Sequence, residues 1–411
     1  MRVLCVFGQH NYGDASRGEG YEFTNFMPAL SRLGHDVTFF ESHNRSLYAD
    51  YIELNRALLK TVEIYRPDII LSVSMLYEVW LETWEILRDA GIGATISWAA
   101  DDSWKYRQSS KLTSNLFHAI TTTYEDAFIK YHKDGSYRIM LTQWAANAAV
   151  TQVPLPSSRC IYPITFVGTA HGDRLEKIKA LADWGIDVLC FGHGWPNGPV
   201  SAIEIPRIIQ QSIISLNFAN AARVWENYRV KHINQIKART FEVPGAGGFL
   251  LTEWAPGLDR FYQIGKEIDV FHSLEELANK IRHYVTNTSE RDEIARAGYI
   301  RTLKEHTYDI RFKEIIGFAL KQKENYFSAK GQNPTNQVDW KRFELTVNQH
   351  RLTRKERLLK KCLLALCSKI WGPIRGPRAA RRLVFEISWR ICGSTTYSAK
   401  GLPGRMFYDE G

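Results

Sequence analysis

Lys231–Thr252, KHINQIKARTFEVPGAGGFLLT, is the stretch that decides the fold class. Cations precede the single acid Glu242, and glycines follow it before the apolar run 249–251. The pattern predicts a helix that carries cations and one carboxylate, then a tight turn and a buried strand. Cations suit a diphosphate, a carboxylate suits a sugar diol, and glycines allow close approach of a ligand. We therefore expect a nucleotide-sugar site in this stretch.

Four residues of this stretch are candidates for individual roles. Lys237 and Arg239 are candidates for binding the diphosphate, and a solvated basic face is the alternative for both. Glu242 is a candidate for hydrogen bonds to vicinal ribose hydroxyls, and a surface glutamate on a helix is its alternative. Gly247 fits a sharp turn between the helix and the next strand.

Strands and helices alternate on the N-terminal side of this stretch. Short β-branched runs alternate with amphipathic segments, which is the pattern of a doubly wound parallel sheet. We expect this α/β domain to span residues 1–155. The predicted strands are 2–8, 35–40, 69–73, 94–98 and 119–123, and the predicted helices are 21–32, 48–65, 77–90 and 125–132.

The alternation restarts after a proline-rich stretch, 153–158, that is typical of an interdomain linker. We expect a second Rossmann-like domain over residues 160–325, and two such domains in series predict a cleft between their strand ends. Its predicted strands are 164–167, 188–191, 213–218 and 269–272. Its predicted helices are 173–182, 203–211 and 274–285, followed by the mostly helical 298–323.

The basic charge of the chain is concentrated in residues 335–411. From Trp340 onward there are 16 Lys+Arg and 5 Asp+Glu, a net charge of +11, which leaves −2 for the preceding residues of a chain with +9 in total. The charge therefore argues against nucleic-acid binding by the main body. Arg351–Trp371 alternates Lys/Arg with apolar residues at helical spacing. This basic, mostly helical tail is expected to lie at a membrane surface, or to pack on the body or on another subunit.

Six scattered cysteines without metal-ligand spacing indicate reduced thiols. No stretch reaches 18 apolar residues, and the N-terminus MRVLCVFG does not resemble a signal peptide. We expect a cytoplasmic protein, and the basic tail allows a peripheral position on the inner face of the membrane.

Several motifs, in order, match a known family over roughly residues 160–315. They are FVGT, FGHGWPNG, SLNF, KARTFEVPGAGGFLLTEWAPGL, GKEIDVF, SLEELANKI, ERDEIARAG and EHTYDIRF. The chain resembles the "glycosyl transferases group 1" C-terminal domain in the CgeB-like, spore-maturation subgroup, with a looser N-terminal match through DDSW. The resemblance implies a GT-B fold, a nucleotide-diphosphate sugar donor, no metal or other cofactor, and a retaining outcome.

The resemblance also implies site residues. Retaining relatives carry two glutamates eight positions apart; the second falls on Glu242, and Asn234 occupies the position of the first. Gly168 falls where a backbone loop approaches the diphosphate, and Asn217 belongs to the SLNF motif. Trp195 is expected beside the nucleotide base, or as a loop tryptophan that caps the core.

The N-terminal half has its own candidates for the acceptor side. Asp101 and Asp102 follow a predicted strand between Trp98 and Trp104, and carboxylates with aromatic faces suit a sugar. Either acid is a candidate base for the acceptor hydroxyl, and a helix N-cap is the alternative. The loop 8–20 lacks GxGxxG, so its His10 is expected on the acceptor side, or is a plain polar loop residue.

Together these features predict a glycosyltransferase that acts on a glycan or lipid-linked glycan. One rival is a sugar-nucleotide epimerase on the same fold, which needs no acceptor. The other is a non-catalytic surface-assembly protein that kept the fold, which predicts no nucleotide binding.

Overall fold

The computed structural model describes residues 1–226 and 229–408, with backbone only at 222–226 and 229–232. The chain divides into two compact units. The first combines Met1–Leu141 with Ile315–Gly411, and the second is Thr142–Glu314. Each unit contains a parallel sheet.

The first sheet has the strand order β2-β1-β3-β4-β5-β6, and all of its pairings are parallel. β1 and β3 are almost wholly buried, as expected for central strands of a parallel sheet. The strand order reverses between β1 and β3, which makes this edge a topological switch point where ligands bind in such folds. The strands are β1 Arg2–Phe7, β2 Asp36–Glu41, β3 Ile69–Ser72, β4 Ala94–Ala99, β5 Ala119–Thr122 and β6 Ile139–Leu141.

Helices connect these strands within the first unit. They are α1 Tyr21–Arg32, α2 Tyr51–Tyr65, α3 Leu81–Ala90, α4 Asp102–Lys105, α5 Lys111–Thr113 and α6 Glu125–Lys133. A π-helical turn at Tyr106–Ser110 joins α4 to α5. The alternation of strands and helices predicted for this half is confirmed, and the strand β6 was missed.

The second sheet repeats the arrangement with the order β13-β12-β9-β7-β8, so its switch point lies between β7 and β9. Its strands are β7 Tyr162–Val167, β8 Leu189–Phe191, β9 Ser212–Asn217, β12 Leu250–Glu253 and β13 Asp269–Phe271, and the pair β10 Asn220–Glu226 and β11 Arg229–Asn234 forms a separate ribbon. The helices of this unit are α7 Arg174–Asp183, α8 Glu204–Gln210, α9 Arg239–Gly245, α10 Leu274–Thr286 and α11 Thr288–Glu305.

The sequence pattern predicted a helix for the cationic part of Lys231–Thr252. The structure instead has a strand there. The backbone of β11 pairs antiparallel with β10, and the helix α9 begins only at Arg239. The sequence RVKHIN has no strict period of two, but its apolar residues, Val230 and Ile233, are both β-branched and favour a strand. The predicted turn and buried strand are present at Gly247 and β12.

The division of the chain differs from the predicted boundaries of 1–155 and 160–325. Residues 142–155 belong to the second unit because Ala146 pairs with Thr307, and the amide of Gln152 donates to the carbonyl of Gly245 (3.3 Å). α12 Tyr308–Lys330 runs across the division at residues 314 and 315. Its later part packs aromatic rings on the first unit, with Tyr326 5.3 Å from the ring of His118.

Residues 335–408, predicted as a separate basic tail, belong to the first unit. Their helices are α13 Trp340–Val347, α14 Arg354–Cys392 and α15 Leu402–Met406. Phe343, Phe385 and Tyr397 are buried in the same cluster as side chains of α2 and α3. One side of the tail therefore completes the core of the first unit, and none of the helices in the described residues has the length and apolar content needed to cross a membrane.

We expect Gly247→Ala to lower the free energy of unfolding by more than ~2 kcal/mol. Gly247 has a φ of +73°, and a Cβ at this position would lie 2.4 Å from the carbonyl oxygen of Gln152. Left-handed backbone alone costs a non-glycine residue about 1–2 kcal/mol, and the overlap adds to this cost. Gly185 is a matched control because it has a φ of +76° and no heavy atom within 4 Å of its Cβ position. Denaturant titration should give a larger loss for Gly247→Ala than for Gly185→Ala; equal losses would contradict the overlap.

Candidate functional site

Both switch points carry polar side chains, and each forms a candidate site within its own unit. In the second unit, the loop after β7 begins at Gly168, whose carbonyl accepts a hydrogen bond from the indole Nε1 of Trp195 (2.7 Å). A Cβ on Gly192 would lie 2.4 Å from the carbonyl oxygen of Gly168. The loop that carries Gly168 is thus held in place by the loop after β8.

Arg239 and Glu242 lie beside the carboxyl end of β7. The Nε of Arg239 donates to the carbonyl of Val167 (3.1 Å), and its guanidinium forms an ion pair with Glu242 one turn along α9. Both side chains are mostly but not fully buried. A bidentate cation and a carboxylate are therefore fixed at the edge of the sheet where anionic ligands bind in such folds.

Further cations face the same loop. Burial lowers the pKa of His171, and the charges of Arg174 and Lys237 lower it further, which places both cations near this residue. Arg174 also donates to the carbonyl of Thr169 (2.8 Å). Lys237 is thus close to His171 in the loop after β7, and its role in binding a diphosphate stays a prediction. The side chains of Lys231 and His232 lie outside the described residues.

A group of charged residues at this edge was not singled out from the sequence. Glu253, the last residue of β12, pairs with Lys177 (2.7 Å) and accepts the backbone amide of Ala219 (2.9 Å). Lys177 also pairs with Asp173 (3.3 Å). The signal that could have found Glu253 is its position, because an acid at the carboxyl end of a buried parallel strand lies at the ligand-binding edge.

Three other predicted donor residues have structural partners. The side chain of Asn217 is buried and donates to the Thr252 hydroxyl (2.9 Å), and the side chain of Asn234 donates to the carbonyl of Trp254 (2.8 Å). Trp195 is buried in the core, with its ring 5.9 Å from that of Phe166. This arrangement favours the core-capping alternative for Trp195.

Gly247 packs against Gln152 and Pro154 of its own unit. It forms the predicted turn, and its predicted place in the donor site stays a prediction. Of the described side chains in the stretch 231–252, Arg239 contacts the carboxyl end of β7 directly, and Glu242 is paired with it.

The first unit has a cavity of about 240 Å³ at the switch point between β1 and β3. Among the candidates from the sequence, His10, Trp98 and Asp101 line it. The carboxylate of Asp101 pairs with Lys105 (3.3 Å), one turn into the helix. Two carboxylates in a small cavity suit the hydroxyl groups of a sugar, and the second of them is Glu22.

Glu22 was not found from the sequence, where it is one acid in the first turn of α1. Burial raises the pKa of its carboxyl, and the charge of Asp101 raises it further, whereas His43 and Lys105 lower it. His43 lies 3.6 Å from Glu78, a buried acid that accepts the amides of Met75 (2.5 Å) and Leu76 (2.7 Å). Glu22 is thus a carboxylate in a cavity with two basic groups nearby, which is an environment for proton transfer.

Asp102 and Trp104 are not brought into this cavity. Asp102 is buried as the first residue of α4 and accepts a hydrogen bond from the Tyr131 hydroxyl (3.3 Å). Burial raises the pKa of Asp102 to about 6. Trp104 is exposed, with the Lys105 ammonium 5.0 Å from its ring centre. Adjacent residues at a helix start point in different directions, so one acid of the pair enters the cavity and the other does not.

The tail contributes one residue to the cavity. Tyr397 lines it, and its hydroxyl donates to the carbonyl of Gln108 in the π-helical turn (2.6 Å). Sequence reasoning missed Tyr397 because nothing in the local pattern connects residue 397 to the strand ends of the first sheet.

Residues 174–317 match a family model described as "Glycosyl transferase-like". No curated protein matches the chain. Among solved structures, sucrose-phosphate synthase from Thermosynechococcus elongatus matches with 11% identity and a TM-score of 0.53, over 80% of this chain and 100% of that chain. A glycosyltransferase from Rickettsia africae ESF-5 matches with 14% identity and a TM-score of 0.52, over 79% and 99%.

HepE of Anabaena, solved in complex with UDP, matches with 12% identity and a TM-score of 0.50, over 80% of this chain and 100% of that chain. Identities this low establish the fold alone. The prediction of two parallel Rossmann-like sheets of the GT-B type is confirmed.

Proposed function

We propose that this chain is a glycosyltransferase that moves a sugar from a nucleoside-diphosphate donor to a hydroxyl of a glycan or lipid-linked glycan. The observation that carries the proposal is the Arg239–Glu242 pair held against the carbonyl of Val167 at the switch point of the second sheet. The family match over residues 174–317 and the UDP complex of the structural neighbour HepE support it.

In the donor half of the reaction, Arg239 and Lys237 stabilise the negative charge of the departing diphosphate. The guanidinium of Arg239 offers a fork of N–H donors that suits phosphate oxygens, so we propose that no metal is needed. Glu242 accepts hydrogen bonds from the ribose hydroxyls with the lone pairs that Arg239 leaves open.

In the acceptor half, we assign Glu22 as the base and Asp101 as a group that binds sugar hydroxyls. The diphosphate oxygen leaves the anomeric carbon, and the acceptor oxygen bonds to this carbon on the same face, so that the configuration is retained. The acceptor proton passes to Glu22. Raising the pKa of Glu22 makes its carboxylate a stronger base, at the cost of a smaller ionised fraction at low pH.

The finer features of the reaction are part of the same proposal. Retention of anomeric configuration, transfer of a hexose, a role in polysaccharide synthesis and membership of the CgeB-like subgroup follow from the sequence resemblance. Proton NMR of the product linkage tests retention directly. We also propose a peripheral position at a membrane surface, because the basic tail has cations and exposed apolar side chains on one helix.

A panel of UDP-, GDP- and dTDP-sugars tests the function, with release of nucleoside diphosphate as the readout. We expect one donor to release diphosphate faster when a glycan acceptor is added. Isomerised nucleotide sugar in the absence of any acceptor would indicate the epimerase instead. No binding of any nucleoside diphosphate by titration calorimetry would indicate the non-catalytic protein.

We expect Glu242→Ala to weaken binding of the cognate nucleoside diphosphate by ~2–3 kcal/mol, the usual loss for a hydrogen-bonded charged partner. Titration calorimetry measures the change. Glu290→Ala is the matched control, because Glu290 is an exposed acid of the same unit that pairs with His283. Equal affinities of wild type and Glu242→Ala would remove Glu242 from the donor site.

A further inference from the structure

The helix α14 is a hairpin. Gly372 interrupts it with a φ of 79° and a ψ of 168°, which lie outside the helical region. Ser368 and Gly376, which lie four residues before and after the break, are in close contact. A Cβ on Gly376 would lie 2.4 Å from the Cα of Ser368. The segments 354–371 and 373–392 therefore pack against each other as two arms, and residues 369–375 form the tip of this hairpin.

The inner side of the hairpin packs on the first unit. Cys367 and Ala380, one from each arm, are buried in a cluster with Val384, Met406 and Phe407. Further along the second arm, Phe385 enters the main core of the first unit. The hairpin is thus anchored, which fixes the direction in which its other side points.

The tip presents apolar side chains to the outside. Ile370, Trp371 and Ile374 have exposed fractions of 59%, 53% and 85%. Large apolar side chains are occasionally exposed singly, but three within five residues form a patch. The first arm continues this patch with Leu359 and Leu366, which are also exposed.

The charged residues that neighbour this patch in the sequence are all positive. No Asp or Glu occurs from residue 357 to residue 385, whereas the same segment has eight Lys and Arg residues, which are Arg357, Lys360, Lys361, Lys369, Arg375, Arg378, Arg381 and Arg382. Lys369 and Arg375 are the two end residues of the tip, Arg378 follows it, and all three are exposed. An apolar tip within a cationic rim is complementary to a surface with negative charge above a hydrocarbon layer.

We propose that the tip of this hairpin inserts into the interface of an anionic lipid bilayer. Ile370, Trp371 and Ile374 enter the boundary between headgroups and acyl chains, where tryptophan is favoured. Lys369, Arg375 and Arg378 stay at the level of the anionic headgroups. The inference deepens the membrane-surface part of the proposed function and is independent of the donor chemistry.

Charge favours a lipid bilayer over a second copy of the chain as the partner of the tip. Two copies joined through this patch would bring two cationic rims together, which opposes association. In an anionic bilayer, by contrast, the negative headgroups would face the cationic rim, and the acyl chains beneath them would face the apolar tip.

Flotation of the full chain with vesicles tests the proposal. We expect binding to vesicles of phosphatidylcholine mixed with phosphatidylglycerol, and little binding to phosphatidylcholine alone. Ile374→Asp should reduce binding to the mixed vesicles by about tenfold or more, because it places a charge in the inserted layer. Ile64→Asp is the matched control, since Ile64 is exposed to 81% on α2 of the same unit; its binding should equal that of wild type.

A second variant tests the cationic rim. Arg375→Gln with Arg378→Gln should weaken binding and reduce its dependence on salt. Equal binding of Ile374→Asp and wild type to the mixed vesicles would overturn the proposal. It would also be overturned if the wild type binds no vesicles but forms a concentration-dependent dimer that Ile374→Asp abolishes. Binding of nucleoside diphosphate by Ile374→Asp should be unchanged, so loss of membrane binding and failure of the proposed transferase function give different results.

Discussion

Glu22→Gln is expected to lower kcat of glycosyl transfer by about 10²–10⁴-fold, with little change in donor affinity. General base catalysis by a positioned carboxylate contributes a factor of this size, and glutamine keeps the shape of the side chain but cannot take a proton. Glu22 lines the cavity at the carboxyl ends of β1 and β3. Rates with saturating donor and acceptor, together with calorimetry of donor binding, measure the two effects separately.

The pH dependence gives Glu22 a second signature. A base acts in its ionised form, so kcat/KM should fall as the pH is lowered through the pKa of Glu22. Because burial raises this pKa, the fall should begin at a higher pH than for an exposed glutamate. The residual activity of Glu22→Gln should lack this step. Glu19→Gln, a neighbouring exposed acid outside the cavity lining, should retain both the rate and the step; a step that persists in Glu22→Gln would assign the base to another group.

Arg239→Ala is expected to lower kcat by about 10²–10³-fold. Removing one preorganised donor to charge that develops in the transition state costs a factor of this size. The loss also leaves Glu242 without its cation, so donor binding should weaken as well. Arg239→Lys should recover only part of the rate, because an ammonium keeps the charge but not the fork of donors.

The control for Arg239 is Arg282→Ala, an exposed arginine of α10 that donates to the carbonyl of Trp184. This variant should keep the rate of the wild type in the same assay of diphosphate release. A rate for Arg239→Ala within a factor of about three of the wild type would exclude a role for this guanidinium in departure of the diphosphate.

The fold was largely predictable because its signals are local. Each buried strand of the first sheet is a short apolar run, and the connecting helices have apolar residues at helical spacing. The β10–β11 ribbon was missed because the cations of β11 were assigned to a helix, and its apolar residues Val230 and Ile233 lack the strict alternation that marks a strand. The tail was placed outside both domains because the contacts of Phe343 and Phe385 with the first unit join residues about 300 positions apart.

The candidate site was predictable only in part, for a related reason. Arg239 and Glu242 are three residues apart, so one helical turn brings them together and the sequence contains this information. Glu22, Asp101 and Tyr397 meet only through the folded unit. Asp101 and Asp102 look alike in the sequence, and the direction of each side chain at the start of α4 decides which of them a substrate can reach.

The discontinuous first unit also sets an order of events during synthesis. The second unit, Thr142–Glu314, is made as one uninterrupted segment and can fold as soon as it leaves the ribosome. The first unit must wait for its own later residues, because Tyr397 lines its cavity and Arg45 donates to the carbonyl of Tyr408 (2.6 Å). A growing chain should therefore complete the proposed nucleotide site well before the proposed acceptor cavity. An unfinished chain would then be expected to bind a donor before it can bind an acceptor.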